Sequence, residues 1–134
     1  MVIDSSALVA LLLGEAESAE FTRMIAVSAT RRISAASYLE TAIVMLRKFG
    51  PNARRALDRL IDELTLRIVP VTRDQADLAI VAYEQYGKGR GHSAALNFGD
   101  CFSYALAKQT GEPLLFKGAD FSRTDLVAAS SISS

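Results

Sequence analysis

A chain of 134 residues, half of them hydrophobic, is long enough for one domain with a sizeable buried core and too apolar to be disordered. Fifteen basic side chains balance fifteen acidic ones, which excludes the strongly basic surface of a protein that coats long duplex nucleic acid. No apolar run approaches the ~20 residues that cross a bilayer, and Asp4 and Glu15 bracket the early apolar run with no basic leader before it, so the expected location is a cytoplasm without membrane attachment.

Val2-Ile3 is a minimal apolar strand that ends on Asp4, and Ser5 and Ser6 precede an apolar helix, Ala7 to Leu13, stopped by Gly14. Ala16 to Val27 predicts a second helix, and Arg31 to Ser34 a short strand. Ala35 to Phe49 is amphipathic, with Tyr38, Leu39, Ala42, Ile43, Leu46 and Phe49 at intervals of three and four, and Glu40 sits early in it. Gly50-Pro51 opens a further helix over Asn52–Leu64. A strand follows over Leu66–Val71. Thr72 and Gln75 then have the spacing of a capping box for a helix reaching about Tyr86, whose stripe of Ala76, Ala79, Ile80, Tyr83 and Tyr86 reads as core or as a self-association face.

Gly87 to His92 is the one glycine-rich stretch. It lacks the Gly-Lys-Ser/Thr ending of a phosphate-binding loop and reads as a basic loop carrying Lys88 and Arg90. His92, the only histidine, is expected as a solvated loop residue. From Asn97 to Lys108 the pattern is a helix with Asp100 in its first turn, Gly99 giving the backbone room to turn, and Cys101 as a small buried residue. A lone cysteine permits no intrachain disulfide and no paired-thiolate metal site. Leu114 to Phe116 is a strand, Lys117 to Asp120 leaves it, Ser122 to Val127 is a candidate last strand, and the tail from Ser130 is expected to fray. Strands alternating with helices predict a single α/β domain over residues 1–134, a three-layer sandwich around a mostly parallel sheet.

Asp4 and Asp120 thus follow strands, while Glu40 and Asp100 lie early in helices. All four can meet at the carboxyl edge of the sheet, where open α/β folds bind ligands. Two unit charges ~4 Å apart repel by roughly 4 kcal/mol at an effective dielectric near 20. Several such pairs would consume a domain's stability of ~5–15 kcal/mol, so either some of the acids are protonated or a cation sits among them. An all-oxygen donor set points to a hard ion, Mg²⁺ or Mn²⁺, whose bound water is suited to attack a phosphodiester.

Val-Ile-Asp-Ser-Ser at 2–6, Ser-Tyr-Leu-Glu-Thr at 37–41, Leu-Asn-Phe-Gly-Asp-Cys at 96–101 and Leu-Leu-Phe-Lys-Gly-Ala-Asp-Phe at 114–121 resemble, in order, the four motifs of PIN domains, and more narrowly those of VapC toxins. The resemblance implies a PIN-like fold, Mg²⁺- or Mn²⁺-dependent endoribonuclease activity on tRNA or ribosomal RNA, a homodimer, and inhibition by a VapB-type antitoxin. It implies Asp4, Glu40, Asp100 and Asp120 as metal-binding and catalytic acids, and Ser6 as a residue holding a metal-bound water. Asn97 and Asp125 are supporting candidates, and Lys88, Arg90 and Lys117 are candidate contacts to RNA phosphates. Two other readings fit an α/β sandwich with acids at strand ends. One is a phospho-accepting signalling domain, which needs an aspartate ending a central strand that Leu66–Val71 lacks. The other is a non-catalytic interaction domain whose acids are helix caps.

Overall fold

A computed structural model describes residues 1–89 and 95–129. Its elements are β1 (Val2–Ile3), α1 (Ser5–Leu12), α2 (Ser18–Ala26), β2 (Arg32–Ser34), α3 (Ala35–Phe49), α4 (Ala53–Glu63), β3 (Arg67–Val69), α5 (Arg73–Tyr86), α6 (Phe98–Thr110) and β4 (Leu114–Leu115). The four strands form one parallel sheet in the order β3-β2-β1-β4. The chain therefore builds outward from β1 through β2 to β3, then returns to pair β4 on the other side of β1. The carboxyl end of β1 is the point where strand order reverses, and Asp4 stands there.

Alternation along the central strands sorts the core into two layers. Ile3 and Leu115 pack with Ala7, Leu8, Phe21, Ile25, Ile33 and Leu57 on one face of the sheet. Val2 and Leu114 pack with Tyr86, Leu96, Tyr104 and Leu106 on the other. Each fully buried Ile or Leu contributes roughly 1.5–3 kcal/mol, which lets strands of two or three residues hold a sheet.

The three-layer α/β architecture is as the sequence predicts, and two of its details, on α3 and over residues 122–127, differ. Asp4 is the N-cap of α1: its Oδ2 accepts the Ser6 amide at 3.0 Å. On α3 the buried side is Ser37, Thr41, Ala42 and Met45, whereas Leu39, Ile43, Leu46 and Phe49 are exposed. The small, hydroxyl-bearing face is turned inward because α3 must approach α6 closely, with Ser37 Oγ meeting Ser103 Oγ at 3.1 Å. On α5 the stripe divides: Tyr86 is buried with Gln75 and Ala82, while Ile80 and Tyr83 are exposed. Residues 122–127 form turns instead of a strand, since Ser122 and Thr124 donate back to the carbonyls of Ala119 and Phe121 at 2.7 Å each. Among the described residues a single bridge, Leu114 with Ala128, continues the sheet there.

The amino edge of the sheet is tied by Glu112. Its carboxylate accepts from the Met1 amino group at 2.6 Å and also bonds Thr30 and Arg32. Burial pushes its acidity the other way, but these hydrogen bonds and the charges of the amino group and Arg32 prevail and lower it from 4.5 to about 2. A depressed carboxyl stabilises the fold above its unfolded value, and that contribution is lost as pH falls from about 4.5 through 2. Glu112→Gln is therefore expected to cost up to about 3 kcal/mol at neutral pH, and its melting temperature should converge on that of the native chain in thermal melts near pH 2.

Candidate active site

Three helix starts and two strand ends bring the acids together. Asp4 leaves β1 with its amide bonded to the Leu115 carbonyl at 2.9 Å, so it is locked to β4 as well. It is 2 % exposed, and its Oδ1 accepts from Ser103 Oγ at 2.6 Å. Beside it, Ser5 Oγ donates to Glu40 Oε1 at 2.5 Å, linking α1 to α3. Glu40 in turn lies directly over Gly99: a Cβ on Gly99 would stand 2.2 Å from Glu40 Oε2. Glycine is needed at 99 for this close approach and not for a turn, since its φ is not among the positive ones.

Asp100 closes the group. Asn97 is the N-cap of α6 in a reciprocal box, its Oδ1 accepting the Asp100 amide at 2.9 Å while Asp100 Oδ2 accepts the Asn97 amide at 3.0 Å. The Asp100 side chain is 8 % exposed. Burial raises its pKa, the Asn97 amide opposes this, and the charges of Asp4 and Asp120 add to it, as does a hydrogen bond that the protonated Asp100 carboxyl donates to Asp120, so that it reaches about 7. The two outer acids differ from the inner pair, Glu40 being half-buried and Asp120 exposed. Asp120 lines a cleft of about 550 Å³ with Ala95, Ala119, Ser122 and Arg123. The positive ends of α1 and α6 face the acids and offset part of their repulsion.

The supporting candidates divide. Ser6 Oγ accepts the Lys117 amide at 3.0 Å, which pins the turn leading to Asp120. The Lys117 ammonium is held by Glu15 at 2.8 Å and Glu17 at 3.0 Å. Lys88 is exposed and its amide bonds the Leu96 carbonyl at 2.8 Å, while Arg90 and His92 lie outside the described residues. Asp125 is away from the acids: it accepts from Tyr104 Oη and Lys108 Nζ at 2.5 Å each, fastening the last described segment to α6. Cys101 is buried and unbridged, its Sγ donating to the Asn97 carbonyl at 3.3 Å.

Ser5, Ser37 and Ser103 are absent from the sequence reading of the site. The signal available for the last two is spacing, because Ser103 is three residues after Asp100 and Ser37 three before Glu40. Each therefore shares a helix face with its acid.

Among the described residues no group of three or more acidic, histidine or cysteine side chains is placed so that together they could hold a metal ion. A hard ion such as Mg²⁺ does not need one, since it keeps several waters and is bound by one or two carboxylates plus substrate phosphates. The donors fit such an ion: they are all oxygens, and the carboxyl of Asp100 is raised by burial and by two acidic neighbours whose charge a cation would neutralise.

The profile of the PIN domain family matches residues 1–127. The chain belongs to the PIN-domain family. Within it, the relatives are VapC proteins: "Ribonuclease VapC" of Mycolicibacterium smegmatis is 52% identical over 128 residues, covering 96% of this chain and 98% of that one. "Ribonuclease VapC30" of Mycobacterium tuberculosis is 52% identical over 126 residues, with 94% and 95% covered. Among solved structures, Mycobacterium tuberculosis VapC20, described as a sarcin–ricin loop cleaving toxin, superposes with a TM-score of 0.75 at 22% identity, covering 94% of this PIN domain and 95% of that chain. A toxin–antitoxin complex from Klebsiella pneumoniae gives 0.69 at 19% identity, with 98% of each chain covered. At these identities the structural likeness establishes the PIN fold.

Proposed function

We propose that this PIN domain is the toxin of a toxin–antitoxin pair and an endoribonuclease that hydrolyses RNA phosphodiester bonds with Mg²⁺ or Mn²⁺. The observation that carries the reading is the approach of Asp4 and Asp120 to Asp100 at the switch point of the sheet, remote in sequence, with Asp100 raised to about 7 by burial and by these neighbours and Glu40 lying over the adjoining Gly99. Asp4, Asp100 and Asp120 would hold the ion, with Glu40 beside them, and the bound ion supplies an acidified water and charge neutralisation at the phosphate. Asp4 and Asp100 are fixed by hydrogen bonds on α1 and α6, Ser5 orients Glu40, and exposed Asp120 meets solvent and substrate first. Formal neutrality favours recognition of RNA shape and unpaired bases, in tRNA or ribosomal RNA, over broad attraction to phosphate.

The VapC likeness favours a VapB-type antitoxin as partner, one that would set a basic side chain among the acids in place of the cation. The exposed stripe of Leu39, Ile43, Leu46 and Phe49 supports a homodimer. Incubating the purified chain with total RNA tests the activity: cleavage should appear with Mg²⁺ or Mn²⁺ and stop in EDTA. Cleavage undiminished by EDTA removes the metal from the mechanism.

A further inference from the structure

The Asp4 carboxylate is held from behind by buried hydroxyls that the four acids do not account for. Ser103, fully buried on α6, donates to Asp4 Oδ1 at 2.6 Å. A serine has one hydroxyl proton. With that proton committed to Asp4, the Ser103 oxygen serves as acceptor for Ser37 Oγ at 3.1 Å, and Ser37 is the donor. The protons thus run in one direction, from Ser37 to Ser103 to Asp4. Ser37 is itself steadied within α3, where Thr41 Oγ1 donates to its carbonyl at 2.8 Å. Ser37, Thr41 and Ser103 are each at most 1 % exposed. Hydroxyls at such depth are costly unless paired, and alanine would fill the space with no such demand. The other Asp4 oxygen accepts the Ser6 amide at 3.0 Å, so both oxygens are fixed.

We propose that Ser103, backed by Ser37, is a positioning residue that sets the rotation of the Asp4 carboxylate and thereby its grip on the divalent ion. The inference rests on the metal-dependent reading above and adds two residues that act through Asp4. Outer partners of metal-binding carboxylates typically govern affinity by 10–100-fold.

The test is a Mn²⁺ titration followed by the electron paramagnetic resonance signal of the free ion, on the native chain, Ser103→Ala, Ser37→Ala and the double variant. Ser103→Ala should weaken Mn²⁺ binding about tenfold or more, and Ser37→Ala by less than about tenfold. The double variant should bind no more weakly than Ser103→Ala, because Ser37 acts only through Ser103. Unchanged affinity in Ser103→Ala, or losses that simply add in the double variant, overturns the proposal while leaving the metal reading intact. A native chain that binds no Mn²⁺ overturns both. Should Ser103→Ala fail to fold, Ser37→Ala decides: weakened binding supports the relay, and native affinity rejects it.

Discussion

Asp100→Asn is expected to abolish RNA cleavage by roughly 10²–10³-fold while making the metal-free protein more stable at pH 8. The carboxyl ordinarily loses its proton near 3.8, but in the fold it keeps it until about 7. Between those values the folded state binds more protons than the unfolded one, so stability falls as pH rises through the window, and the full cost is present above pH 7. That cost is roughly 4 kcal/mol. Asparagine has the same shape, can still accept the Asn97 amide, and does not titrate. Metal-free melting temperatures should therefore differ by on the order of 10 °C at pH 8 and converge near pH 4. Added Mg²⁺ should narrow the gap at pH 8 by stabilising only the native protein. A variant that melts below the native chain at pH 8, or cleaves RNA as well, would contradict the charge assignment.

The second large effect comes from a single methyl group. Gly99→Ala suits a helix, where alanine is favoured over glycine by up to about 1 kcal/mol, yet its Cβ would stand 2.2 Å from Glu40 Oε2. The carboxylate is the far end of a flexible side chain and can swing away, so the fold survives and the site does not. Cleavage should drop about 100-fold, the typical cost of a 1 Å misplacement, with the melting temperature unchanged or higher. In a Glu40→Ala background the same methyl should cost nothing further, because its target is gone. An additive loss in that double variant would mean that Gly99 acts through something other than Glu40.

Much of this site was readable in the sequence because β1 and β4 are short apolar runs, each followed within a few residues by an aspartate, and because Gly99-Asp100 opens a strongly patterned helix. The sequence could not say which face of α3 turns inward. Leu39, Ile43, Leu46 and Phe49 form the stronger apolar stripe, and tertiary contact with α6 overrode it through Ser37 and Thr41. Periodicity reports what a helix could bury, whereas close helix approach selects small residues. Asp125 misled for a related reason: an acid in a polar segment carries no mark of its partner, and here Tyr104 and Lys108 claim it. The stretch 122–127 has the pattern of a strand, but its hydroxyls bond locally, a competition that apolar patterning does not register.

The strand order also bears on how the molecule is made. β1 pairs with β2 almost at once, but its other neighbour, β4, and Asp120 beyond it are translated more than a hundred residues later. At about 5–20 residues per second, a nascent chain carries Asp4 for roughly ten seconds before the aspartate of the fourth motif exists. A ribosome making this chain is thereby spared a completed set of acids until β4 and the turn after it have been translated.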